Sequence, residues 1–510
     1  MAVNYRKGPL MADNTPPSTG GSTYGHPTRT SVITGVALFM ISLDNLVVTT
    51  ALPQIREHLH TSVQGLEWTV NAYTLTFAVL LLTAAAVAER FGRRRLFFLG
   101  ILLFTAGSTL AALANGIEVL VAARALQGLG AAVVLPLTLT LLSAAYPPEK
   151  RAGALGLWGA IGGLAVALGP VVGGLIIHFV SWQWIFWVNV PIGVVMLAAV
   201  PSWLSESRGA HRPLDVVGTV LASLGLLGLV LGLVRGNAAG WTSAGVLGSL
   251  GAGVLLLGAF LYWEDRTPTP MLPLRLFRNR TFTAVNVVSM LMYFGMFGSI
   301  FLITQYLQDV QGASALGSGV RMLSWTGLTL IGAPLGAVLA TRFGGRPIVT
   351  LGLTLQALGL VYLALVVSTG SGYAVLVPGF VLNGFGMGLF FGPTADLVLG
   401  SAGRKEEGIA SGANNAIREI GGVFGVAVLA SVFAAKGGYT SAASFVSGMH
   451  LAVAIGAGFV TAGAIAALFI TAGAGSAAAT AAAGADRDRP EAEPEQEQVP
   501  ESVVLLSVDD

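Results

Sequence analysis

Along the chain, apolar stretches of about twenty residues alternate with short polar breaks. Fourteen such stretches stand out, at about 31–53, 68–88, 96–114, 119–145, 152–179, 184–204, 215–235, 243–263, 281–307, 318–340, 348–368, 375–398, 408–435 and 447–472. Each is longer than an ordinary strand, and roughly 20 residues of helix cross the hydrocarbon of a bilayer. The pattern predicts an all-α membrane protein with fourteen transmembrane helices and the lipid bilayer as its surroundings. The two ends differ from the rest. Residues 1–30 are rich in Pro, Ser, Thr and Gly, and residues 473–510 turn from Ala-rich to acidic (Glu491, Glu493, Glu495, Glu497). Both are expected to be disordered. The first thirty residues lack the charged region, short apolar stretch and cleavage site of a signal peptide, so the first span is expected to stay attached. Met11 is an alternative start.

Composition sharpens the class. Of the 510 residues 54% are hydrophobic and 10% charged, whereas soluble domains carry about 25% charged residues. The 68 glycines are spread through the apolar runs, which suits membrane helices whose backbones approach closely. A net charge of +2 gives no reason to expect a nucleic-acid partner. There is no cysteine, which removes disulfides, thiolate metal sites and cysteine nucleophiles. No His/Asp/Glu metal cluster and no phosphate-binding loop stands out, so neither a cofactor nor an enzymatic activity is expected, and any driving energy comes from an ion gradient.

The basic residues orient the chain. Only Arg56, Arg235, Arg321 and Lys436 fall near one set of helix ends, and Arg124 and Arg418 lie within spans. All the others, among them Arg90, Arg93, Arg94, Arg95, Lys150, Arg342 and Arg404, share a side with the termini. That asymmetry places both termini in the cytoplasm.

The chain also repeats. Ala88-Glu-Arg-Phe-Gly-Arg-Arg94 after span 2 is matched by Ala340-Thr-Arg-Phe-Gly-Gly-Arg346 after span 10, and Leu126-Gln-Gly-Leu-Gly130 in span 4 by Leu382-Asn-Gly-Phe-Gly386 in span 12. Parallel repeats of this kind are a signature of transporters. They divide the chain into a six-helix bundle over 31–204, two inserted helices over 215–263, and a second six-helix bundle over 281–472.

Four acidic or basic positions inside spans stand out. Asp44 lies at mid-depth in the first span, where an ionisable group is costly and marks function by default. Such a carboxyl can be charged or neutral according to burial and nearby cations, and so can carry a proton. Arg124, early in span 4, lies within about 5–10 Å of Asp44 in depth at 1.5 Å rise per residue. It does not deprotonate, so its expected role is to hold Asp44 ionised, the alternative being an arginine snorkelling to the interface. Gln127, one turn on, would extend the cluster. Arg418 and Glu419 point about 100° apart and are not expected to pair. Arg418 shares a face with Asn414 and Glu419 with Asn415.

Four motifs resemble the major facilitator superfamily, in its fourteen-span drug:proton antiporter branch. They are Leu43-Asp44 with Ala51-Leu52-Pro53, then Glu89-Arg-Phe-Gly-Arg-Arg-Arg95, then Arg124-Ala-Leu-Gln-Gly-Leu-Gly-Ala-Ala132, and finally Gly156 with Gly169-Pro-Val-Val-Gly-Gly174. The resemblance covers about 31–473. It implies a major facilitator fold of two six-helix bundles plus two inserted helices. It further implies a monomeric, proton-coupled antiporter that exports hydrophobic or cationic compounds across the cytoplasmic membrane by alternating access. A dedicated exporter or flippase of one metabolite or lipid is the nearest alternative, and a non-transporting scaffold or receptor is an alternative of another class. The buried charges and the repeat argue against the scaffold.

The same resemblance assigns roles. Glu89, Arg90, Gly92, Arg93 and Arg94 form a loop in which Glu89 with Arg93 or Arg94 is expected to latch the two bundles. Gly156, Gly169, Pro170, Gly173 and Gly174 form the antiporter motif, in which small residues and a proline kink let span 5 slide or seal. Where the branch has Arg-Gln, this chain has Arg418-Glu419, which adds a second proton or cation site. Asn71, Tyr73, Gln127, Tyr293, Gln305, Trp325 and Asn383 are candidates to line the substrate cavity. Trp182, Trp184 and Trp187 read as an aromatic belt.

Overall fold

The computed structural model describes residues 26–207, 214–402 and 406–471. Its elements in chain order are α1 (Pro27–Leu59), α2 (Val63–Phe91), α3 (Arg93–Ala112), α4 (Ile117–Ala145), α5 (Pro148–Phe179), α6 (Trp184–Trp187), α7 (Asn189–Trp203), α8 (Val216–Ala239) and α9 (Ala244–Arg266). There follow α10 (Arg280–Gln305), which runs on through a π turn over Tyr306–Val310, then α11 (Ala315–Thr326), α12 (Thr329–Phe343), α13 (Gly345–Val366), α14 (Tyr373–Ser401), α15 (Glu407–Lys436) and α16 (Ala442–Ala467). Counting α6 with α7 and α11 with α12 as single crossings, twelve segments are long and apolar enough to span a membrane. The long helices α2 and α5 stand between them in the chain. The helices begin and end where the sequence says they should. Ser62, Asp215, Ser243, Asn279, Ser314 and Ser441 cap helix starts through their side chains. Gly92 ends α2 and opens α3 with φ +111°, a conformation glycine adopts freely.

Two bundles result. In the first, α1 packs on α5 and α4, α2 on α4, and α3 on α4 and α7; in the second, α10 packs on α15 and α16, α13 on α14 and α16, and α12 on α14. The sequence repeat is a repeat of contacts. A Cβ on Gly128 would stand 2.3 Å from the Tyr73 carbonyl oxygen, and one on Gly384 would stand 1.9 Å from that of Trp325. Gly130 touches α3 at Phe104 and Gly100, as Gly386 touches α13 at Gly352 and Gln356. Glycine is required in both bundles for the same reason, close backbone approach.

The bundles meet along two seams, α5 against α11 and α2 against α15. The ends of α1 and α10 are tied by an Arg56–Asp309 ion pair of 3.0 Å, and the start of α10 is tied to the end of the described chain through Thr281 and Thr471. The Arg56–Asp309 end is therefore the one away from the termini, here called distal. α8 lies across the outside of the second seam, its Leu226, Val230 and Val234 packed among Leu75, Val79, Val423 and Ala427. The Asn237 amide and the Ser431 hydroxyl tie α8 to α15, and Thr83 ties α2 to Thr219 at 2.6 Å. Its neighbour α9 is only 17% buried over its apolar window, so it faces the surroundings. Trp182 departs from the aromatic-belt expectation. It is 3% exposed and set edge-on to Phe186, whereas Trp184 is 49% exposed.

Candidate functional site

Asp44 and Arg124 meet. The Arg124 guanidinium donates to Asp44 Oδ2 at 2.5 Å, and both residues are buried. Around them four helices close a network. Gln127 Nε2 donates to Asp44 Oδ1 at 3.2 Å, and Asn189 Nδ2 donates to the same oxygen at 2.9 Å. Arg124 also donates to Gln127 Oε1 at 2.9 Å and, through Nε, to the Thr69 carbonyl at 3.2 Å. Ser108 accepts from Gln127 at 2.7 Å. The guanidinium lies over the Tyr73 ring at 4.3 Å. A buried charge pair is tolerated only when further hydrogen bonds fill the remaining lone pairs and protons. Here they do. Arg124 does not snorkel, since its exposure is 0%. Asn189 and Ser108 were not among the expected site residues.

The second bundle carries the counterpart positions without the charge. Three residues before Asn383, as Arg124 is three before the matched Gln127, stands Phe380, and it packs on Trp325 at 5.9 Å between ring centroids. Trp325 is wholly buried, and Asn383 donates to the Gly379 carbonyl of its own helix at 2.8 Å. Gln305 likewise donates to the Phe301 carbonyl at 2.7 Å and accepts from Tyr439. These three expected cavity residues are therefore packed inside the second bundle or at its distal edge.

Arg418 and Glu419 sit on the α15 side of the seam. They do not pair with each other. Arg418 donates to Asn415 and lies over the Tyr293 ring at 5.1 Å. The expected partner Asn414 instead donates to Asn286 and Ser289 of α10, at 3.1 and 3.0 Å. Glu419 is 9% exposed, and its Oε2 has no protein partner. It lies close enough to Tyr73 and Tyr293 to act on both hydroxyls through charge. Asn71, two residues before Tyr73 in α2, is buried with neither amide atom bonded.

The loop between α2 and α3 is latched, but within its own bundle. The Arg94 backbone N–H donates to Glu206 Oε1 at 3.1 Å, and the Arg94 and Arg95 guanidinium groups lie 3.8 and 3.7 Å from Glu206 Oε2. Arg94 also reaches the Pro201 and Leu204 carbonyls, and Arg93 N–H donates to the Ser207 carbonyl at 2.9 Å. The expectation that Arg94 bonds across the two bundles is corrected: Glu206, at the end of the sixth crossing, is near in space and complementary in charge. A Cβ on Gly92 would come within 2.7 Å of Glu206, which requires glycine there. Arg90 is exposed over Phe91 at 5.4 Å. The Glu89 side chain and the surroundings of Gly156 lie outside the described residues.

The glycines of α5 have two partners. Gly169 and Gly173 face α1, where a Cβ would stand 2.7 Å from Leu46 and 2.5 Å from Thr50. Gly174 faces α11, with a Cβ 2.5 Å from the Ala315 carbonyl, and Gly319 of α11 presses on the Pro170 carbonyl. Thr326 donates to the Ala167 carbonyl at 3.1 Å. At the distal end Gln308 donates to the Thr50 carbonyl at 3.0 Å, and Arg56 lies over the Tyr439 ring at 3.8 Å. The bundles are thus sealed on the distal side.

Two like-oriented helical bundles, a charge pair buried inside one of them and a seam sealed at one end define a membrane transporter. Residues 34–426 match the Major Facilitator Superfamily, and the chain belongs to it. It is 36% identical over 417 residues to the tetracenomycin C resistance and export protein of Streptomyces glaucescens, covering 81% of this chain and 77% of that protein. It is 36% identical over 408 residues to the multidrug resistance protein Stp of Mycobacterium tuberculosis, covering 80% and 76%. A solved peptide transporter superposes with a TM-score of 0.63 at 16% identity over 88% of this chain and 96% of its own, a likeness of fold.

Proposed function

We propose that this chain is a proton-coupled antiporter that exports hydrophobic, often cationic, antibiotic-like compounds from the cytoplasm. The observation that carries the reading is the Asp44–Arg124 pair, buried and fully hydrogen-bonded inside a major facilitator fold. Relatives named for antibiotic resistance, multidrug resistance and export supply the substrate class. The chain works as a monomer with both termini cytoplasmic, on the strength of its basic-residue asymmetry. Residues 31–204 and 281–472 act as two moving bundles, and 215–263 is an insertion that rides on the seam.

In this orientation the distal seal faces outside, which supports reading the conformation as inward-facing. Asp44 is then ionised, held by Arg124, Gln127 and Asn189. A proton arriving from the outside in the opposite state neutralises Asp44 and frees the Arg124 side of the pair. Return to the inward state releases the proton and restores the pair. Arg124 cannot itself carry the proton, because a guanidinium does not give one up. Glu419, buried on α15 with one oxygen unpartnered, is a second carboxyl for a cationic substrate or a proton. Tyr73 and Tyr293 offer it aromatic walls, as cation binding requires.

A strain expressing Asp44→Asn should lose resistance to every exported compound while the protein stays at normal abundance in the membrane. Resistance equal to wild type would remove Asp44 from the mechanism. A second reading, export of a single metabolite, is favoured by the relative named for one antibiotic. A susceptibility panel separates the two, since a polyspecific pump shifts many compounds and a dedicated one shifts one.

A further inference from the structure

The distal seam contains a carboxyl group that the mechanism above does not use. Glu67, in the first turns of α2, is 1% exposed, and its Oε2 has no protein partner. One helical turn on, on the same face, Asn71 is 0% exposed with both amide atoms unbonded. Neither residue belongs to a motif that marks the fold or the Asp44 network.

Its neighbours place it at the closure between bundles. Tyr439, in the α15–α16 loop, donates to Gln305 and carries Arg56 on its ring face. Burial holds the Tyr439 hydroxyl well above its ordinary pKa; the charge on Arg56 opposes this, while Asp309 and Glu67 add to it. Glu67 therefore shares one electrostatic neighbourhood with the Arg56–Asp309 latch. Among the described residues the nearby cation, Arg56, is already committed, since it bonds Asp309 at 3.0 Å. Other charges on helices packed against α2 are spent or remote. Arg124 and Asp44 hold each other, and Arg418 and Glu419 lie beside Tyr293 and Tyr73. Arg235, Lys436, Glu57, His58 and Glu118 are exposed, and Arg93, Arg94 and Arg95 are at the opposite end of α2.

We propose that Glu67 is a further proton-binding carboxyl, apart from Asp44 and Glu419, one that takes up a proton from the distal side as the seam closes and returns it when the seam opens. A bare carboxylate in a dry seam, without a hydrogen-bond donor for one of its oxygens, is costly, whereas the neutral acid can be buried and can donate a hydrogen bond. Parting α2 from the second bundle would return Glu67 to water, where the charged form is solvated. Protons on the distal side therefore favour the closed seam. No covalent bond changes in the step: one O–H bond forms on Glu67 at closure and breaks at opening. The inference rests on the transporter reading for its motion, but not on proton coupling through Asp44.

The absence of cysteine makes the test clean. Ala315, buried in the α5–α11 seam against Gly174, is replaced by Cys and labelled from the distal side with a membrane-impermeant maleimide. Labelling rates are corrected for the intrinsic pH dependence of the thiol with an exposed cysteine at Gly240. The corrected rate should fall severalfold as distal pH drops from about 8 to about 5.5. Glu67→Gln, a permanent neutral mimic, should label slowly at every pH, while Asp309→Asn should keep the pH response. A Glu67→Gln protein whose labelling still follows pH would overturn the proposal, and so would loss of the response in Asp309→Asn alone. Should Glu67→Gln fail to reach the membrane, the Asp309→Asn arm and a Glu67→Asp variant decide. A response kept in both supports Glu67, and its loss in either counts against it. The labelling involves no transported compound, so failure of coupling through Asp44 would leave this result standing.

Discussion

Asp44 is the residue on which the account turns, and its neighbours show how a charge survives inside the bundle. Three donors from two helices reach its two oxygens, and the Thr69 carbonyl takes an Arg124 N–H that would otherwise be unpaired. Removing one partner of such a pair strands the other, at a cost on the order of 3–5 kcal/mol. Arg124→Gln should therefore lower the thermal stability of the purified protein as well as abolish transport. A variant as stable as wild type would mean the pair is not desolvated as described. Arg124→Gln combined with Asp44→Asn should recover much of the lost stability but no transport. At this scale the sequence was informative where a residue is expensive: Asp44 and Arg124 announce themselves by charge within apolar runs. Asn189 and Ser108 do not, because a lone Asn or Ser in a span carries little cost and no periodic signal. Glu67 was hidden for a different reason. It stands at the edge of an apolar run, where a carboxylate reads as an interfacial residue, and only the fold shows that this edge is covered.

Among the elements, α5 and α11 explain a motif that physics alone reads as close packing. The glycines divide between two partners, Gly169 and Gly173 against α1 and Gly174 against α11, while Gly319 answers Pro170 from the other bundle. A face built of backbone on both sides can seal without side chains interlocking, and so can part again. Gly319→Val should hold the seam open, because even a Cβ at this position would stand 2.1 Å from the Pro170 carbonyl oxygen. The expected outcome is loss of export with increased distal labelling at Ala315→Cys, and unchanged labelling would show that the contact is not made in the membrane. The order of the helices was legible from hydropathy, since each crossing needs its own apolar run. The break of the sixth crossing into α6 and α7, and of the tenth into α11 and α12, was not. Pro191 follows the Val188 junction and the second junction is Gly327-Leu328, but prolines and glycines also stand inside unbroken spans, so these residues do not by themselves mark a break. The Arg94 latch was misdirected because a loop's sequence shows its charge but not which acid folds back to it.

For the whole molecule, the repeat gives two bundles with one backbone plan and unequal chemistry. Arg124 over Tyr73 in the first becomes Phe380 over Trp325 in the second. The first bundle holds the buried pair; the second offers Glu419 across the seam. Glu419→Gln should therefore weaken export of cationic compounds more than neutral ones, measured as the change in inhibitory concentration for matched pairs. An equal loss for both would assign Glu419 to the proton path instead. The inserted α8 and α9 are explained only in part by the sequence, which shows two extra spans but not that α8 bridges α2 and α15 while α9 faces outward.

The central claim is that protons, taken by Asp44, drive export. In proteoliposomes carrying the purified protein, an imposed pH gradient should drive a fluorescent cationic substrate against its own gradient. That accumulation should collapse when the pH gradient is dissipated, and it should be absent in Asp44→Asn even with the gradient intact. Accumulation that survives dissipation, or that Asp44→Asn sustains at the wild-type rate, would contradict the account.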